Sequence, residues 1–144
     1  MRLEDWLLDQ GFPPGGAEAT LENQTTPLMR ACQLGELSIV EALIEGGVTL
    51  NARNGDGNNA LWLACYSGAL EIIDRLVRAG IAIDHQNTSG ATCLMYAAST
   101  GKTEVVARLI ETGADCRLQS QDDFTALDMA ANLDCLKLLR AATR

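Results

Sequence analysis

The chain has 144 residues, is 47% hydrophobic, and carries nineteen acidic against eleven basic residues for a formal charge of -8. That apolar content supports one core-bearing domain, and the acidic balance argues against general binding to the phosphate backbones of nucleic acids. No apolar run reaches the roughly 20 residues that span a bilayer, and the opening Met1-Arg2-Leu3-Glu4-Asp5-Trp6 lacks the basic start and apolar stretch of a secretory signal, so the chain reads as cytoplasmic and not membrane-bound.

The first element is a short helix with Leu3, Trp6 and Leu7 on one face and Gly11 as its stop. Phe12-Pro13-Pro14-Gly15-Gly16 then reads as a rigid turn followed by a flexible one. Residues 1–20 are expected to form an N-terminal capping helix and linker, with a detached docking helix as the alternative.

From residue 21 onward the chain repeats. Leu28, Leu61, Leu94 and Leu127 are spaced 33 residues apart, and Ala31, Ala64, Ala97 and Ala130 keep the same interval. Such a beat points to stacked similar units rather than one irregular core. The units are read as 21–53, 54–86, 87–119 and 120–144, the last one shortened.

Each unit opens with a polar turn, centred on Arg53–Gly57, Gln86–Gly90 and Gln119–Asp123 in the later units. Gly57 and Gly90 hold matching places where a positive φ is expected; Gln24 and Asp123 hold that place in the outer units, whose turns should be less regular. Thr26, Asn59, Thr92 and Thr125 then recur as helix N-caps, and Pro27 suits a first helical position. The leucine–alanine pairs, i and i+3, mark the inner face of a short first helix.

Gly35, Gly68 and Gly101 end that helix. A second helix follows with an apolar stripe: Leu37, Val40, Leu43 and Ile44; then Leu70, Ile73, Leu76 and Val77; then Val105, Val106, Leu109 and Ile110. The final unit runs from Ala130-Ala131-Asn132-Leu133 into its last helix with no glycine turn.

Cys32, Cys65, Cys93, Cys116 and Cys135 read as reduced core residues, and with no CxxC pair or Cys/His cluster a zinc site has poor support. Gly55-Asp56-Gly57 offers too few ligands for a calcium loop, and no GxGxxG-type phosphate loop occurs. His85, the single histidine, lies beside Asp84 without a convincing nucleophile and reads as turn chemistry. No catalytic residue, metal or cofactor is therefore assigned.

This organisation strongly resembles the ankyrin repeat family. The best local match is Thr92-Cys93-Leu94-Met95-Tyr96-Ala97-Ala98 with Gly101, Glu104-Val105-Val106, Leu109-Ile110 and Gly113-Ala114-Asp115; Thr26-Pro27-Leu28 and Thr125-Ala126-Leu127 restate its opening. The resemblance implies an all-α, ankyrin-type helical repeat solenoid with short polar hairpin-like turns. The family's usual histidine after the motif leucine is replaced by Met29, Trp62, Met95 and Asp128, so the bonds it makes between turns are either unmade or moved elsewhere.

By the same resemblance, the expected function is a non-catalytic protein-binding module, acting through the concave face and turn tips in an adaptor, inhibitor or immunity-type role. The candidate interface residues are Arg53, Asp56, Asn58, Trp62, Tyr66, Ser89, Thr100, Asp122 and Phe124. The acidic tips would suit a partner with a basic surface. The chain is expected to be monomeric when free; the alternative is a structural or self-assembling subunit of a larger complex.

Overall fold

The computed structural model describes all residues, 1–144, as nine α-helices and one 3-10 turn, with no strand. The helices are α1 (Leu3–Asp9), α2 (Pro27–Leu34), α3 (Leu37–Glu45), α4 (Ala60–Ser67), α5 (Leu70–Ala79), α6 (Cys93–Ser99), α7 (Thr103–Glu111), α8 (Ala126–Met129) and α9 (Leu133–Ala142); the 3-10 turn is Glu22–Gln24. They fall into two compact units, Met1–Ile81 and Ala82–Arg144.

All four repeated first helices start where the polar side chains dictate. Thr26 Oγ1, Asn59 Oδ1, Thr92 Oγ1 and Thr125 Oγ1 accept from the backbone N–H of Met29, Trp62, Met95 and Asp128 at 3.2, 3.3, 3.2 and 3.3 Å. Each cap satisfies a donor that the helix itself cannot pair. The turns before them close as hairpins: Asn54, Asn87 and Ser120 each donate N–H to the carbonyl four residues on, at 2.9 Å. Gly57 and Gly90 adopt φ of 78° and 74°, and Gln24 and Asp123 are forced to 56° and 64° in the equivalent places. A side chain pays steric cost in that region, yet the outer turns are not less regular, contrary to the expectation from the sequence: Leu21 N–H and Ser120 N–H close them at 2.9 Å as in the inner turns.

In the N-terminal unit α2 packs on α3 and α4, α3 on α5, and α4 on α5. Leu28, Ala31, Leu61 and Ala64 are buried. α1 lies against α3, with Trp6, Leu7 and Phe12 buried and the Trp6 and Phe12 rings stacked 6.3 Å apart. In the C-terminal unit α6 packs on α7 and α8, and α9 on α7 and α8.

The second helices correct the expected stripe. The buried sets are Ile39, Val40 and Leu43; Ile72, Ile73 and Leu76; and Val105, Val106 and Leu109. Leu37, Ile44, Leu70, Val77 and Ile110 are only half-buried. Ile39 and Ile72 sit between two apolar neighbours of the stripe, so either face could have turned inward, and packing against the first helices selected this one.

The final repeat departs further. Ala130 leaves the helix with ψ of 119°, so the Leu127/Ala130 pair does not form one helical face, and Leu127 is half-buried where its three counterparts are buried. Asp128 closes a capping box, its Oδ2 accepting from Thr125 N–H at 2.9 Å. Asn132 takes over the lost glycine turn: its Oδ1 caps α9 through Cys135 N–H at 2.8 Å, and its Nδ2 donates to Gly101 O at 3.2 Å.

All five cysteines are free and buried. Burial pushes the Cys32 thiol well above its ordinary range. The Cys116 thiol is also raised, by burial first and then by the neighbouring Asp115 and Asp84 carboxylates, which outweigh Arg117. The thiolate is the reactive form, so native protein at pH 8 is expected to consume an aromatic disulfide reagent at Cys32 and Cys116 only as it unfolds. Rapid labelling of either residue without denaturant would contradict this burial.

Candidate functional site

The turn of the second repeat is held by its own asparagine. Asn54 Oδ1 accepts from Asp56 N–H and Asn58 N–H, both at 3.0 Å, fixing the tip. The preceding repeat grips the same tip: Asn23 O accepts from Gly55 N–H at 2.9 Å, and Asn23 Nδ2 donates to Asp56 Oδ2 at 3.1 Å. A Cβ on Gly55 would collide with the Asn23 side chain. Behind this tip, successive turns of α4 present Trp62 and Tyr66, while α2 contributes Met29 and Gln33.

These elements enclose a cleft of about 320 Å³ lined by Asn23, Thr25, Met29, Gln33, Asn54, Asp56, Asn58, Trp62, Leu63 and Tyr66. Tyr66 is 53% exposed, Trp62 is half-buried and Asp56 is exposed. Asp56 is the one charged side chain in the lining.

Four of the sequence-derived residues therefore meet here: Asp56, Asn58, Trp62 and Tyr66. Asn58 differs from the others, because it is 8% exposed and its backbone closes the turn through Asn54. Arg53 goes elsewhere. It lines a separate, polar cleft of about 400 Å³ with Glu18, Thr20, Gln24, Thr26, Thr49 and Ala52.

In that second cleft Glu18 accepts from Thr49 N–H at 3.0 Å and from Thr49 Oγ1 at 2.7 Å, and these bonds lower its pKa. A carboxyl depressed in the folded state adds stability above its unfolded pKa, about 4.3, and loses it as pH falls through the folded value. Glu18 is exposed, so the effect is small. In a carbon-detected titration Glu18 is expected to protonate below the ordinary glutamate value, and Thr49→Ala should raise its midpoint by removing the hydroxyl donor. An unmoved midpoint in that variant would contradict the pairing.

Ser89, Thr100, Asp122 and Phe124 lie in the C-terminal unit, and all four are exposed. Ser89 O accepts from Gln121 N–H at 3.0 Å, Gln121 Nε2 donates to Thr88 O at 2.8 Å, and Gln86 Nε2 bridges Gly90 O and Gln119 O at 2.9 Å each. Phe124 is 50% exposed. With no histidine after the motif leucine, neighbouring turns are tied by Asn23 in one unit and by Gln86 and Gln121 in the other. The sequence reading missed Asn23, Thr25, Met29, Gln33, Asn54 and Leu63. The 33-residue register of Asn23 against Asp56 was the available signal.

No group of three or more His, Cys, Asp or Glu side chains is placed to hold a metal ion. No helix is long and apolar enough to cross a membrane. No curated protein matches the sequence. The family described as ankyrin repeats (3 copies) matches residues 5–87 and again residues 70–143, agreeing with helix pairs that restart at Pro27, Ala60, Cys93 and Ala126. The chain belongs to the ankyrin repeat family.

Proposed function

We propose that this chain is a non-catalytic module that holds a protein partner through the Trp62–Tyr66 cleft and the adjoining turn tip. Ankyrin repeats are in general protein–protein interaction modules. The observation that carries the reading is Tyr66, an aromatic ring 53% exposed at the mouth of a cleft that Trp62 also lines. Large exposed aromatics beside a shaped cavity are the residues that dominate binding energy when a partner buries them. Asp56 favours a partner with a basic surface.

On this reading the exposed Ser89, Thr100, Asp122 and Phe124 of the C-terminal unit are further contacts, and the chain works in the cytoplasm as a monomer until it meets its protein partner, in an adaptor, inhibitor or immunity-type role. The test is affinity capture with the full chain, followed by calorimetry on the captured partner. The double variant Asp56→Ala/Tyr66→Ala is expected to weaken binding at least about tenfold with unchanged circular dichroism. Unweakened binding by a folded double variant would reject the cleft as the interface.

A further inference from the structure

Resting on that reading, we propose that the N-terminal cleft is a receptor for one arginine side chain of the partner. Three observations converge. First, Asp56 is the single charge among the lining residues, and no lysine or arginine lines the cleft to neutralise it. Its Oδ2 takes one neutral amide bond, from Asn23 Nδ2 at 3.1 Å. The field inside therefore favours a cation.

Second, Trp62 and Tyr66 lie one helical turn apart on α4 and both line the cavity. Aromatic faces attract a cation, and a planar guanidinium can stack on them while still donating hydrogen bonds. Third, Asn23 and Gln33 bring side-chain amides to the same lining, whereas the Asn54 amide oxygen is already taken by Asp56 N–H and Asn58 N–H. A guanidinium is planar, with five donors and no acceptor, so a lining that combines a carboxylate with two aromatic rings suits it better than it suits an ammonium. The volume agrees: about 320 Å³ lies at the small end of the roughly 300–1,000 Å³ typical of ligand pockets, which admits a long side chain and excludes a folded element.

The probes are N-acetyl-arginine methylamide, its isosteric uncharged citrulline analogue and the lysine analogue, each titrated into the isotope-labelled full chain by two-dimensional NMR. The arginine probe is expected to shift Asp56, Trp62 and Tyr66 resonances. The citrulline and lysine analogues should bind several-fold more weakly. Asp56→Asn is expected to cost about fivefold in affinity, and added salt should weaken the wild-type interaction.

Equal binding of citrulline, equal binding of lysine, shifts confined to residues outside the cleft, or no shift at millimolar probe would each overturn the assignment. Single arginine replacements in the captured partner separate this inference from the broader one. If the partner tolerates every such replacement yet loses affinity for the double variant, the interface stands and the arginine receptor falls. If the double variant binds unchanged, the interface itself falls.

Discussion

Leu94→Ala is expected to destabilise the fold by about 2–5 kcal/mol, whereas Leu127→Ala should cost only about 1 kcal/mol. The two residues hold the same place in consecutive repeats, 33 residues apart, and sequence alone treats them as equals. Leu94 is 2% exposed on a seven-residue helix that packs on α7 and α8. Removing its methyl groups leaves a cavity that close-packed neighbours cannot refill. Leu127 sits half-buried on a helix of four residues that Ala130 terminates. Urea unfolding of both variants measures the difference directly. Equal losses would mean that the last repeat is packed like the others.

Gly90→Ala should be the second large effect, at about 2–5 kcal/mol, against about 1–2 kcal/mol for Gly35→Ala. Both glycines have φ near +73°, so both variants pay the same left-handed strain and gain the same reduction in unfolded-chain entropy. They differ in surroundings. A Cβ on Gly35 meets nothing within 4 Å, while one on Gly90 would lie 2.9 Å from the backbone nitrogen of Gln121. That nitrogen donates to Ser89 O at 3.0 Å, so it cannot retreat without breaking the bond between turns. The gap between the two variants therefore reports the tightness of the turn–turn contact. Matching midpoints in denaturant would show that the contact yields freely.

Much of the fold was legible in the residues because its signals are local. A threonine or asparagine that caps a helix does so through its own backbone neighbourhood, and all four such caps form where the repeat places them. A residue in the position of Gly57 needs positive φ whatever its identity, so Gln24 and Asp123 adopt it too. The site was less legible. Arg53 and Asp56 are three residues apart in one turn, yet they line different clefts.

The chain alone determined the 33-residue beat, the helix starts and the inward leucines, because caps, backbone-permissive glycines and side-chain spacing act within a few residues of themselves. Tertiary structure decided which side of each second helix went inside, that Ile39 and Ile72 are core residues, and that Asn23 clasps Asp56. It also left Leu127 half-buried where its counterparts are buried. An apolar stripe two residues wide can face inward in more than one way, and only the surface of the adjacent helix removes that choice.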